Sequence, residues 1–204
     1  MGRLIAAAAL LASAAAPANA QPAALDQIRA RLDAHAVVRA EFVQTRTLAA
    51  LERPLVARGR LLVSRADGVV WQVEQPYRAA YVLQQDSVTE IAADGMRTRR
   101  DARDAPAIAR VGRILGALVS ANATALDNDF HVDAGVTGER WHIVLQPRQS
   151  QVAQRLKVIR VNGGDFVESV RIDEASGDTT QLQFRSQRGA ASLSEDERRL
   201  FVGD

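Results

Sequence analysis

The chain has 204 residues, with 26 basic side chains against 24 acidic ones and no cysteine. That length suits one domain that buries its core without staples, and the missing cysteine excludes disulfides, thiolate metal sites, a cysteine nucleophile and an acylated N-terminal cysteine. The charge is close to balanced and its basic share is almost wholly arginine, with Lys157 the one lysine, so nucleic-acid binding gains little support.

Arg3, an apolar run from Leu4 to Ala16 and the small-x-small pattern Ala18-Asn19-Ala20 read as a secretory signal peptide over residues 1–20, cleaved after Ala20. The run is too short for a membrane span, which needs ~20 apolar residues. The expected product is a soluble periplasmic protein starting at Gln21, forming a single domain over residues 21–204. Loss of Arg3 lowers its formal charge from +2 to +1.

Ala24, Leu25, Ile28 and Leu32 recur at helical spacing, with Asp26, Arg29, Arg31 and Asp33 on the other side, which predicts an amphipathic helix running on toward Val38 and Phe42. Gln44 to Ala57 is mixed and contains Pro54, as expected of a strand end and a loop. From Gly59 to Pro76 the pattern becomes that of a hairpin. Gly59, Leu61 and Val63 alternate with Arg60 and Ser64, then Val69, Trp71 and Val73 alternate with Val70, Gln72 and Glu74 around Asp67-Gly68. One face of this hairpin is apolar, and such a face either closes a core or lines a ligand cavity.

Tyr81 and Leu83 share a face in the next segment, and Ser87 to Ile91 forms a short strand before a turn at Asp94-Gly95. Arg99 to Asp104 is charged apart from Ala102, and the arginine run from Arg97 to Arg103 reads as a solvated loop. Pro106 then opens a second amphipathic helix in which Ile108, Val111, Leu115 and Leu118 recur at three- and four-residue spacing. Strand patterns return at Phe130 to Val132, Trp141 to Leu145, Leu156 to Val161, Phe166 to Ile172 and Thr180 to Arg185, with turn-formers at Gly138, Asn162-Gly163-Gly164-Asp165 and Ser176-Gly177-Asp178. Even spacing of this kind predicts an antiparallel meander curling toward a barrel. Ser194 and Glu197 suit a short capped turn near the end.

Catalytic patterns are missing. His35, His131 and His142 stand far apart, none in a metal-ligand spacing, and there is no GxSxG elbow, phosphate-cradling loop or SxxK. Asp127, Asn128, Asp129 and Asp133 resemble the opening of a calcium loop but lack its glycine and its bidentate glutamate. We expect no cofactor, no metal and no enzymatic activity.

Two amphipathic helices and some nine strands with apolar alternate positions assemble economically as a curved antiparallel sheet with the helices on its concave face. The alternative is a packed core with no cavity. The chain resembles the periplasmic outer-membrane lipoprotein carrier family, the LolA-like proteins. The points of likeness are the first helix, Phe42-Val43-Gln44 as the family's Phe-x-Gln, the Gly59 strand, Arg65 six residues before Trp71, Pro76 and the Pro106 helix. Trp141 to Pro147 matches W-x-x-x-L-x-P, and Asp173 with Gly177 precedes Thr180 to Phe184. Ala66 departs from the proline that commonly follows the family's arginine.

The resemblance implies an α+β fold, an unclosed half-barrel of about eleven antiparallel strands with amphipathic helices as a lid over a hydrophobic cavity. It implies a monomeric carrier that shields lipoprotein acyl chains, is loaded by an inner-membrane ATP-driven release complex and delivers to an outer-membrane receptor, with no nucleic acid involved. Arg65 matches the arginine that locks the lid, and Leu32, Ile114, Leu115 and Leu118 would be lid residues. Leu61, Val63, Val69, Trp71, Val73, Tyr81, Leu83, Ile143, Leu145, Leu182 and Phe184 would line the cavity. Richness in arginine and alanine makes the chain as similar to divergent LolA-related proteins as to the housekeeping carrier. A lipid or glycolipid carrier serving a dedicated export system is therefore the alternative, and a periplasmic hydrolase is the rival from another class.

Overall fold

The computed structural model describes residues 20–101 and 129–202. In chain order these form α1 (Ala20–Leu32), β1 (Val37–Thr47), β2 (Leu55–Ser64), β3 (Gly68–Gln75), β4 (Ala79–Leu83), β5 (Ser87–Ile91) and β6 (Arg97–Asp101). After the undescribed stretch come β7 (Phe130–Thr137), β8 (Arg140–Pro147), α2 (Ser150–Ala153), β9 (Leu156–Gly163), β10 (Val167–Glu174), β11 (Thr179–Ala190) and α3 (Glu195–Val202). The predicted leader and the predicted Pro106 helix, with Ile114, Leu115 and Leu118, lie outside the described residues.

All eleven strands make one antiparallel sheet in the order β6-β5-β4-β3-β2-β1-β11-β10-β9-β8-β7. Each half is a meander of sequence neighbours, as the regular turns predict. The pairing of β1 with β11 joins the halves, from Val37 opposite Ala190 to Thr47 opposite Thr179. Among the described residues β6 and β7 are the two end strands and do not pair with each other, so the sheet is open, and the segment between them in sequence is the undescribed one.

Asp67-Gly68 turns the chain where expected. Gly68 has φ 116°, a left-handed conformation that glycine adopts without a Cβ penalty. The Ser64 hydroxyl donates to the Asp67 carboxylate at 2.5 Å and accepts the Asp67 N–H at 3.2 Å, closing the turn from inside.

Three sequence expectations need correction. The first helix stops at Leu32 and does not reach Phe42. β-Branched Val37 and Val38 and the residues after them enter β1, where strand pairing on both sides outweighs any continued helical period. The charged stretch after Met96, expected as a solvated loop, begins as the edge strand β6, whose exposed arginines suit a position where an apolar edge would invite aggregation. The hairpin, finally, has two apolar faces. Leu61, Val63, Val69 and Trp71 belong to the larger core, while Leu62 and Val70 join Val37, Val82, Leu193 and Phe201 in a second cluster on the opposite face.

That outer cluster is covered by α3. Ser194 and Glu197 form a capping box: the Ser194 N–H donates to Glu197 at 2.8 Å and the Glu197 N–H to the Ser194 hydroxyl at 3.3 Å. The Arg39 guanidinium also donates twice to the Glu197 carboxylate, at 2.5 and 2.6 Å, fastening α3 to β1. Hydrogen bonds from Arg39, outweighing the cost of burial and aided by Ser194, hold the Glu197 carboxyl down at about 2. Arg97 of β6 reaches the Leu200 carbonyl at 2.9 Å and secures the other end of the helix.

Candidate functional site

Strand alternation places one residue in two on the inner face, where the sheet and α1 enclose the larger apolar cluster. Leu32, Leu61, Val63, Val69, Trp71, Val73, Leu83, Ile143, Leu145, Leu182 and Phe184 are all buried in it, with Tyr81 packed at its margin. Burial, with a smaller contribution from Glu90, raises the Tyr81 hydroxyl above its ordinary range.

The predicted wall omitted several members of the same face. Trp141, Val161 and Phe42 are each 2% exposed or less, as is Ile28 of the predicted helix. Phe42 had a detectable signal, since Val38, Ala40 and Phe42 alternate as a strand, but the helical pattern upstream masked it. Its ring lies 4.1 Å from that of Trp71, centroid to centroid, tilted by 34°. Phe42 pairs with Gly59 across β1 and β2, and the absence of a side chain there is required. A Cβ on Gly59 would stand 1.9 Å from the Gln72 carbonyl oxygen and 3.0 Å from the Phe42 ring.

α1 lies over this face with Ala24, Ile28 and Leu32 turned into the cluster, and it packs chiefly on β7. Its C-terminal end carries carbonyls with no partner inside the helix. Arg65, in the β2–β3 turn, holds the segment that leaves it: its Nη2 donates to the Asp33 carbonyl at 2.9 Å and the His35 carbonyl at 3.0 Å, both just past the helix, with Leu32, its last residue, at a longer 3.5 Å. One Nη nitrogen has two hydrogens, so the two shorter contacts are the effective bonds. The Asp33 carboxylate, 3.3 Å away, adds an ion pair.

A second arginine works from the helix itself. Arg31 donates from Nη1 to the Glu139 carbonyl at 2.5 Å and from Nη2 to the Gly138 carbonyl at 3.0 Å, both in the β7–β8 turn. The end of α1 is thus tied to the β2–β3 turn by one arginine and to the β7–β8 turn by the other. Both sets of bonds are polar and reach solvent, whereas the helix's inward contacts are apolar.

Beneath Leu32 lies an apolar pocket of about 30 Å³. Its walls are Val38 and Ala40 of β1, Leu61 and Val63 of β2, Phe166, Val167 and Phe184, with Asp165 and Gln187 as the polar members. Gln187 is there because of a bulge. The β1–β11 register passes from Arg39 opposite Arg188 to Glu41 opposite Arg185, and Ser186 takes φ 53°, turning Gln187 toward the Val167 carbonyl, to which it donates at 2.5 Å. Phe166 stacks on His35 with centroids 4.8 Å apart, connecting the β9–β10 loop to the segment that Arg65 holds. A volume of this size admits one or two waters and no acyl chain. Among the described residues the face is apolar, with hydrogen-bonded side chains at its margin and no three-residue cluster of metal-ligating side chains.

The sequence model of the family described as "Outer membrane lipoprotein carrier protein LolA-like" matches residues 14–196. No curated protein sequence matches the chain. Among solved structures it is similar to a LolA superfamily protein from Nitrosomonas europaea, at 8% identity over 85% of this chain and 96% of that one, with TM-score 0.44. It is also similar to a DUF1329 family protein from Desulfovibrio piger, at 11% identity over 86% and 95% of the two chains, with TM-score 0.44. The lipoprotein LppX of Mycobacterium tuberculosis matches at 14% identity over 85% and 99%, with TM-score 0.38.

Proposed function

The chain belongs to the outer membrane lipoprotein carrier LolA-like family, and on that footing we propose that it is a periplasmic carrier that shields the acyl chains of lipoproteins between the two membranes. The observation that carries this reading is the form of α1's attachment. The helix covers a continuous apolar face, yet its end is held there by arginine-to-carbonyl bonds that water can replace. Such a cover can be released at modest cost, since one solvent-reaching hydrogen bond contributes about 1 kcal/mol net.

The chemistry of the task fits that face. Each methylene moved from lipid into water costs ~0.8 kcal/mol, so an acylated protein needs an apolar shield to cross the periplasm. The 30 Å³ pocket is the closed state, in which α1 occupies space that cargo would take. Loading then displaces the helix, and Arg65 and Arg31 set how readily it moves. Arg65 is the lid lock in this reading, and the inner-face residues from Leu61 to Phe184 are the cavity wall. The carrier receives cargo from an inner-membrane ATP-driven complex, surrenders it to an outer-membrane receptor and catalyses nothing.

Native mass spectrometry with lipid extraction, on protein purified from a periplasmic fraction, tests the proposal. Bound diacylated or triacylated protein is the expected finding, while free lipid or glycolipid would identify a carrier for a dedicated export system. Protein that is empty and also refuses a fluorescent acyl probe would overturn both.

A further inference from the structure

We propose that the tip of the β1–β2 hairpin docks on the surface of a bilayer rich in anionic lipid. Six large apolar side chains are exposed among the described residues, and three of them share this tip: Leu51 at 46%, Leu55 at 52% and Val56 at 43%. Ala49, Ala50 and Pro54 are exposed between and beside them. Isolated exposed leucines are ordinary, but a cluster at the end of a ribbon is not.

The ribbon also projects past its neighbour. β2 pairs with β3 only from Arg58 onward, so Leu55, Val56 and Ala57 have β1 alone beside them. Despite this the tip is held in shape. The Leu51 N–H donates to the Leu48 carbonyl at 3.0 Å, the Ala49 N–H to the Asp178 carboxylate at 2.8 Å, and Arg46 lies 3.8 Å from Glu174. A prearranged protrusion pays little ordering cost on contact.

The charges choose the partner. Exposed Arg53 lies between Leu51 and Leu55, and exposed Arg58 follows Val56 and Ala57; neither has an acidic partner among the described residues, and Glu52 is the single acid from Leu48 to Arg58. Leucines that enter the headgroup boundary, with guanidinium groups free to donate bidentate bonds to lipid phosphates, match an anionic interface. A protein groove would accept the leucines but gives no reason for unpaired arginines among and beside them. The inference goes beyond acyl-chain shielding, because the tip lies at the opposite end of the hairpin from the pocket-lining residues Val38, Leu61 and Val63.

Vesicle co-sedimentation tests it, with phosphatidylcholine alone compared with mixed phosphatidylglycerol and phosphatidylcholine. The intact protein should bind the anionic vesicles, weakly at high salt, and should leave the neutral ones in the supernatant. The pairs Leu51→Ser with Leu55→Ser, and Arg53→Glu with Arg58→Glu, should each weaken binding by about fivefold or more, with thermal midpoint and acyl-probe affinity unchanged. Absence of wild-type binding to anionic vesicles would overturn the proposal, as would binding by both variants equal to that of the wild type. Loss of a dimer in the variants on size exclusion, with vesicle binding intact, would make the tip a contact between copies and overturn it too.

Discussion

Arg65 donates to the backbone carbonyl of Asp33 at 2.9 Å while its guanidinium lies 3.3 Å from the carboxylate of the same residue. The turn of a β-hairpin thereby holds the end of a helix that precedes it by some thirty residues. Each side chain is about one-third exposed or more, so solvent screens the ion pair and the directional bonds to the carbonyls matter more.

Removing either tie should loosen α1 without unfolding the sheet. Arg65→Ala and Arg31→Ala are each expected to reduce amide-exchange protection in α1 by about fivefold to tenfold, the equivalent of ~1 kcal/mol. The double variant should show the two effects added, because the ties reach different turns. Unchanged α1 protection in both single variants would mean that apolar packing alone holds the helix.

Trp71 packs against Phe42 and is only 9% exposed. Trp71→Ala should therefore cost about 3 to 5 kcal/mol in urea unfolding, and Trp71→Phe much less. A near-neutral Trp71→Ala would place the ring against empty space.

Gly59→Ala introduces an atom 1.9 Å from a backbone carbonyl, which must move β2 away from β3 or displace Phe42. A loss of about 3 kcal/mol is expected. A stability equal to that of the parent would show that the hairpin relaxes without cost.

Glu197 supplies a pH dependence with a definite sign. Its carboxyl is held at about 2 against an ordinary 4.5, so its contribution is present in full above pH 4.5 and is lost as pH falls toward 2. Allowing for screening, the contribution is about 1 kcal/mol. Glu197→Gln should be less stable than the parent by that amount at pH 7, and the difference should vanish near pH 2. A gap that persists at pH 2 would assign the effect to shape rather than charge.

The hairpin at Asp67-Gly68, the five strands after Phe130 and the Ser194–Glu197 cap were all readable because each rests on local preferences. Alternation marks a half-buried strand, glycine accepts a positive φ, and a serine three residues before a glutamate can cap a helix. β6 was not readable, since Arg97 to Asp101 carries no apolar signal and becomes a strand only by pairing with β5. The period of Leu62 and Val70 was visible, but the cover for their face was not, because α3 returns to them from more than a hundred residues away.

Which residues share an apolar face and where the chain turns are written in the order of the amino acids, since both follow from backbone geometry over a few residues. The pairing of β1 with β11, the bulge that turns Gln187 toward Val167 and the convergence of Arg31 and Arg65 near one helix end arise only on folding. Those contacts depend on the sheet bringing the β2–β3 and β7–β8 turns to the same helix. That juxtaposition is a property of eleven strands paired together, and no local spacing encodes it.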